Sequence, residues 1–320
     1  MERYWRMEFV HERNGIKDPR VIILILSYNG KHLLKDGISS YLANDYPNFE
    51  VVVIDNGSTD GTKEWVEQNY PGVFVLRTEK NLGYSGGFNL GLDYAFNKNN
   101  ADYVLITNND VKADSKVISE LVIVAETDPM IGFVTGKVYY YDEPDLLQSV
   151  GYYEDELKWI GGHLGNKQKD TGQFDQIEER TFSDDIFMLV KKELYENTNG
   201  YDTNFQFQAE QFDWQIRAKK KGYKIYYTPK AKIWHKDSIT IGKTSPFKIY
   251  YDVRNSLVVR LKHRDKKYLR PYFKWYFKNM VGIPFIKNLA KGKIKMSASI
   301  FNGFFSALAW GLKNKKIPFK

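Results

Sequence analysis

Five short runs rich in valine and isoleucine recur along the first part of this chain: VIILILS (21–27), FEVVVID (49–55), VFVLR (73–77), DYVLIT (102–107) and IGFVTG (131–136). Runs that are apolar at nearly every position need cover on both faces. The stretches between them supply it, because Lys31–Ala43, 60–70, 86–98 and 115–126 carry the pattern of amphipathic helices. Strand, helix, strand repeated in this way predicts βαβ units and a mostly parallel central sheet. The fold class is therefore α/β. From 137 to 181 the pattern gives way to Tyr-, Gly- and charge-rich sequence, which predicts long loops and short strands. Strand–helix and helix–strand patterns return at 182–202 and 210–235.

Charge divides the chain. It holds 47 Lys/Arg and 39 Asp/Glu, a net charge of +8. Residues 261–320 contain 15 Lys/Arg against one acid, Asp265, so this tail is +14 and the rest of the chain −6. A mildly acidic body argues against a nucleic-acid binder, whose basic surface belongs to the folded domain. A basic, aromatic tail suits an anionic membrane surface. Phe301, Phe304, Phe305, Leu308 and Leu312 share one helical face, which either closes over the core or lies on a membrane. No run has the roughly 18 apolar residues of a spanning helix, and the charged N-terminus does not resemble a signal peptide. The absence of cysteine excludes disulfides, zinc–thiolate sites and a thiol nucleophile, and fits a reducing compartment. The expectation is a cytoplasmic protein, peripheral at the inner face of the plasma membrane.

In a parallel sheet, ligands bind beyond the carboxyl ends of the strands. Here those ends are Ser27-Tyr28-Asn29, Asp55-Asn56-Gly57-Ser58-Thr59-Asp60, the turn Asn81-Leu82-Gly83-Tyr84-Ser85-Gly86-Gly87, and Asn108-Asn109-Asp110. Turn chemistry accounts for any one of them but poorly for all four. Ionised Asp55 is a pure acceptor, suited to a base or ribose hydroxyl, while Thr59 or Asp60 is better placed to cap the next helix. The Gly-rich turn lets backbone approach a ligand, and the helix after it offers N–H groups to an anion. Asp110 is a hard oxygen donor of the kind Mg²⁺ or Mn²⁺ takes beside phosphate oxygens. Together these residues predict a nucleotide-diphosphate site with a divalent cation.

The segments SYNG, VIDNGSTDGT, NLGYSGGFNLG and TNNDV, in that order, resemble the inverting family 2 glycosyltransferases of GT-A fold, in particular their rhamnosyltransferase-like branch. The resemblance covers about Val21 to Asn255 and implies a GT-A domain over 21–255, after an N-terminal extension (1–20) and before a helical region (256–320). By this resemblance Asp55 binds the base, with Ser27, Tyr28, Asn29, Asn56 and Gly57 around it. Asn81, Gly83, Gly86 and Gly87 border the nucleotide-sugar. Asn108, Asn109 and Asp110 stand for the DxD motif, with Asp110 the retained carboxylate, and His235 is a second metal or diphosphate contact. In AEQFDWQIRAKKKGY the family places a Glu-Asp pair whose second residue is the base. That position is Gln211 here, and glutamine accepts no proton at neutral pH. Glu210 becomes the first candidate base and Asp213, three residues on, the second. Asp184 and Asp185 are implied to touch acceptor or sugar. Trp159, with the Gly161-Gly162-His163 stretch, would form a flap over the acceptor, and Arg254 would meet a phosphate.

The implied reaction is metal-dependent transfer of a sugar, plausibly L-rhamnose from dTDP-L-rhamnose or another sugar from a UDP donor, to a growing cell-surface polysaccharide or lipid-linked acceptor. Two alternatives are a non-catalytic nucleotide-sugar-binding subunit and a sugar-phosphate nucleotidyltransferase. The second needs a basic Gly-rich loop after the first strand, where SYNGKHLL offers only Lys31.

Overall fold

The computed structural model describes residues 18–236 and 245–317; the extension expected at 1–20 lies outside them apart from its last three residues. Each apolar run forms a strand. β1 (Val21–Ser27) precedes α1 (Leu34–Leu42), β2 (Phe49–Asp55) precedes α2 (Thr62–Asn69), and β3 (Phe74–Arg77) precedes α3 (Gly83–Asp93). β4 (Tyr103–Asn108) and a short β5 (Val111–Ala113) lead to α4 (Val117–Ala125) and then to β6, which runs on past the expected end (Ile131–Tyr140). The loop-rich stretch holds β7 (Leu146–Ser149), β8 (Tyr152–Asp155), β9 (Trp159–His163), β10 (Gln168–Lys169) and β11 (Glu178–Glu179). β12 (Phe187–Lys191) and α5 (Lys192–Thr198) follow, then α6 (Glu210–Lys219) and β13 (Lys224–His235). Four helices complete the chain: α7 (Pro246–His263), α8 (Lys266–Tyr276), α9 (Ile283–Ala290) and α10 (Ile294–Lys313).

The sheet runs β3-β2-β1-β4 in parallel, the arrangement that puts four strand ends on one edge. Beyond β4 it becomes mixed: β12 is antiparallel to β4 and to β6, and β13 lies parallel to β6. Alternation along β1 explains its uninterrupted apolar sequence. Val21, Ile23 and Ile25 enter the core under α1 and α4, whereas Ile22 and Leu24 enter the core under α3 and α6. Gly91 of α3 permits close packing there, since a Cβ at that position would sit 2.4 Å from Ile54 Cδ1.

A third core joins α7, α8 and α10 to the β8–β9 hairpin. The expected boundary at 255/256 falls inside continuous α7, whose Val253 and Leu257 are both buried. The single apolar face expected on α10 divides. Phe304 is buried with Ile300 and Ala307, while Phe301, Phe305 and Leu312 are 50%, 48% and 67% exposed. Among the described residues, no helix is long and apolar enough to cross a membrane.

Candidate active site

Register builds the site. β1 pairs Ser27 with Asp55 and Leu26 with Asn108, so β2, β1 and β4 end at one edge. On the β2 side the loops are cross-braced. Asn29, in left-handed conformation (φ 50°), donates its backbone N–H to Ser58 Oγ (2.9 Å) and accepts from Thr59 N at Oδ1 (2.8 Å). Asp60 accepts from Lys31 N and Thr62 N, closing the start of α2. Asp55 is fully buried: Oδ1 accepts from Ser58 N (2.9 Å) and Oδ2 from Arg77 Nη1 (2.8 Å). Asn56 Nδ2 donates to Asn81 Oδ1 and Gly83 O, and Asn56 Oδ1 accepts from Leu82 N. Gly57 (φ 78°) leaves room for the backbone of Lys80 and Asn81, which a Cβ would meet at 2.6–2.8 Å.

The Gly-rich turn does packing work. A Cβ on Gly87 would lie 2.5 Å from Leu26 Cδ1, and one on Gly86 2.9 Å from Leu82 Cβ. Two N–H groups at the start of α3 are already used, Gly83 N by Asn81 Oδ1 (2.8 Å) and Tyr84 N by Gln206 O (3.0 Å). The anion-accepting role expected of this helix start is thus partly closed off by the chain itself.

The β4 side differs. β5 pairs antiparallel with the end of β13, setting Val111 opposite His235, and Lys236 N donates to Asp110 O (3.0 Å). His235 Nε2 consequently lies 3.2 Å from Asp110 Oδ1, both groups buried. His235 Nδ1 is 2.9 Å from the amide oxygen of Gln148. An amide oxygen only accepts, so Nδ1 donates to it and Nε2 is the ring nitrogen turned towards Asp110. Asp110 Oδ1 has no hydrogen-bond partner. An imidazole nitrogen and a buried carboxylate oxygen facing one another are donor types that fit a divalent cation, with Gln148 orienting the imidazole from behind. Among the described residues, no group of three or more acidic or imidazole ligands gathers anywhere. Two protein ligands suit Mg²⁺ or Mn²⁺ when phosphate and water supply the rest.

Past Asn108 the edge meets the segment before β12. Asn108 N donates to Ile186 O (3.1 Å) and β12 runs back along β4, which lays Asp184 and Asp185 beside the Asn109–Asp110 turn. Burial opposes the charge on Asp184, but His163 and Ser149 outweigh it and hold its pKa below the usual carboxylate range. Asp185 has no such relief. Burial and its charged neighbour Asp184 push its pKa up to about 7, although Tyr201 donates to it (3.2 Å).

Gln215 clamps α6 onto this segment through Ser183 N and O (3.0 Å each). Glu210, the first residue of α6, is 4% exposed, and its Oε2 has no partner. Burial and then the charge of Asp185 raise its pKa well above the ordinary value. Gln208 and Ala209, just before it, both have positive φ (67° and 69°), a conformation that persists only where surroundings enforce it. Asn255 enforces it, donating to Phe207 O (2.7 Å) and Gln208 O (2.9 Å).

The chain matches the model of glycosyl transferase family 2 over residues 22–197, more than half its length. It belongs to this family. Poly-beta-1,6-N-acetyl-D-glucosamine synthases of Staphylococcus aureus and Staphylococcus epidermidis are each 25% identical over 225 residues, 69% of this chain and 51% of theirs. The chain therefore spans about half the length of these curated relatives. Among solved structures it is similar to a mannosyltransferase from Pyrobaculum calidifontis in complex with GDP-Man and Mn²⁺ (TM-score 0.54, 16% identity, 91% of this chain and 88% of that one). GalNAc-T7 with UDP, GalNAc and Mn²⁺ is also similar (TM-score 0.58, 14% identity, 82% and 56%). These likenesses show the fold, a GT-A glycosyltransferase domain with a helical C-terminal region.

The structure gathers Ser27, Asn29, Asp55, Asn56, Asn81, Asn108, Asn109, Asp110, His235, Asp184 and Asp185 along one edge, with Glu210 within electrostatic reach of Asp185 and Tyr28 43% exposed at the rim. Asp213 stands apart. It is fully buried, and Lys262 (2.6 Å), His263 (2.7 Å) and Arg217 (2.8 Å) all pair with it. Burial alone would raise its pKa, but these partners hold it far below the usual range. Arg254 donates to Asn204 O (2.9 Å) and Ser306 Oγ (3.2 Å), tying α7 to its neighbours rather than facing a phosphate. Trp159, at φ 70°, lines a cavity of about 740 Å³ between the hairpin and α7–α8, with Tyr268 and Arg264. Its ring packs edge-on against Phe182, which packs in turn against Phe212 of α6. Sequence reasoning missed Arg77, Gln148 and Asn255. Arg77 had a signal, a cation closing an apolar run, and Asn255 marked the end of the family resemblance, but nothing local marked Gln148.

Proposed function

We propose that this chain is a metal-dependent inverting glycosyltransferase acting on a nucleotide-diphosphate sugar, with a cell-surface polysaccharide or its lipid-linked precursor as acceptor. In the transfer, an acceptor hydroxyl oxygen bonds to the anomeric carbon while the bond from that carbon to the diphosphate breaks. The hydroxyl proton passes to a carboxylate of this chain. A bound Mn²⁺ or Mg²⁺, held by Asp110 and His235 Nε2, would stabilise charge on the departing diphosphate.

Glu210 is the base this reading favours. The observation that carries it is the partnerless Oε2 of a buried carboxylate close enough to Asp185 for their charges to interact. A base with a raised pKa, poised nearer the operating pH, is the better proton acceptor. Asp213 is disfavoured because two cations, Lys262 and Arg217, and the imidazole of His263 occupy its oxygens. Asp185 and the tyrosines around it would orient acceptor and sugar, and the braced loops carrying Asn29, Asp55 and Arg77 would hold the nucleotide end.

The first donor to try is dTDP-L-rhamnose, on the resemblance to the rhamnosyltransferase-like branch. A UDP-linked N-acetylhexosamine is the second, on the named product of the staphylococcal relatives. Nucleotide release with each donor, Mn²⁺ and a lipid-linked acceptor tests the reading; no release from any donor would overturn it. A non-catalytic nucleotide-sugar-binding subunit is the second reading, favoured by Gln211 at the usual base position. A subunit of that kind keeps its function in Glu210→Ala, whereas an enzyme loses it.

A further inference from the structure

Helix α10 is apolar on two opposite faces. Its inner face, with Ser297, Gly303, Ala307 and Gly311 buried, lies so close to α7 that a Cβ on Gly303 would sit 2.6 Å from Tyr250 O. Ile294, Phe301, Phe305 and Leu312 point the other way and are 69%, 50%, 48% and 67% exposed. Steps of three, four or seven residues hold a stripe on one side of a helix. Neighbouring α9 adds Ile286 and Leu289, at 66% and 52% exposure. The two helices meet at Phe285 and Phe301, whose ring centroids are 6.3 Å apart. A contiguous exposed apolar surface of this kind marks an interaction site, and the close α7–α10 packing fixes its outward direction.

Charge selects the occupant. Between 277 and 317 the sequence has eight lysines and no acidic residue, and none of the eight falls within 296–312. Lys287, Lys291, Lys293 and Lys295 stand at one end of the stripe, and Lys313, Lys315 and Lys316 at the other. A second copy of this chain would bring eight positive charges against eight. An anionic bilayer offers an apolar layer for the stripe and acidic headgroups for the lysines at its border.

We infer that the outer face of α9 and α10 is a docking surface for an anionic membrane, with the helices lying in the interface plane rather than crossing it. This deepens the partner side of the proposed function, a lipid-linked acceptor, although its physical argument requires neither donor nor acceptor. The test is sedimentation of the full chain with vesicles of phosphatidylglycerol and phosphatidylethanolamine, against phosphatidylcholine alone. Binding is expected only to the anionic vesicles, and weaker in about 0.5 M salt, where the Debye length falls below about 5 Å. The exposed-site variant Ile286→Ser/Leu289→Ser/Leu312→Ser should weaken binding by about tenfold or more, as should Lys291→Glu/Lys293→Glu/Lys295→Glu. Neither should alter thermal stability or nucleotide release in detergent solution, so a failed reaction and a failed docking surface give separate results. Absent binding to anionic vesicles, or unchanged binding in both variants, overturns the inference. So does a wild-type dimer that the serine variant dissociates, since the stripe would then be a self-association face.

Discussion

The two halves of the sheet edge treat the same kinds of side chain in opposite ways. After β1 and β2, Asn29, Asp55, Asn56 and Asp60 are bonded to each other's loops, and Arg77 closes the set. After β4 and ahead of α6, Glu210 Oε2 is buried without a hydrogen bond, Asp110 Oδ1 makes none beyond its approach to His235, and Asp185 has its pKa pushed up to about 7. The contrast repeats within α6, where Glu210 has no ion-pair partner among the described residues and Asp213, three residues on, has two cations and an imidazole. Completed hydrogen bonding stabilises a scaffold; incomplete bonding in a buried place costs stability that only a ligand, metal or reacting group restores. The first half is built to hold shape and the second to change partners.

Exchanging Glu210 for glutamine strikes this contrast hardest. Glu210→Gln is expected to lower kcat by about 10²–10⁴-fold while leaving the melting temperature equal or higher, since it removes a buried carboxyl raised by its neighbours. Steady-state kinetics beside calorimetry checks both, and a near-normal kcat breaks the assignment. Asp213→Asn should do the reverse: it leaves Lys262, Arg217 and His263 facing a neutral group and costs about 3 kcal/mol of folding stability, read by urea denaturation. Gln148→Met removes the acceptor that orients His235 and should weaken Mn²⁺ affinity about tenfold or more, measured by titrating Mn²⁺ in the presence of the nucleotide. On the saturated side, Arg77→Met strips a partner from buried Asp55 and should cost about 2 kcal/mol, with a smaller effect on turnover than on stability.

The smallest expected effect is on pH dependence. A carboxyl whose folded pKa is raised binds more protons folded than unfolded. Asp185 therefore contributes stability that is present below about pH 4 and lost as pH rises towards its folded value of about 7. Asp213 is lowered and acts with the opposite sign, its contribution present above about pH 4 and lost as pH falls below that. Melting curves from pH 4 to 7 should show a shallower decline in Asp185→Asn than in wild type, and an unchanged slope would sink the claim that this carboxyl is the strained one.

The sequence by itself determined the strands and helices of the α/β domain, because the pattern that buries both faces of β1 is written in consecutive residues. It also marked the polar strand ends, since turn chemistry is local. It did not determine which carboxylates would be neutralised. Glu210 and Asp213 look alike in sequence, and the partners that separate them, Lys262 and His263, lie about 50 residues away on α7. Asp55 looked like a free acceptor until Arg77, 22 residues on, was brought to it. The same limit applies to α10. Its period gave one apolar group, Phe301, Phe304, Phe305, Leu308 and Leu312, but only packing against α7 turned Phe304 inward and left Phe301, Phe305 and Leu312 outside. Periodicity and turns follow from neighbouring residues. Saturation of a buried charge and the choice of a buried face depend on groups that the chain brings together only by folding.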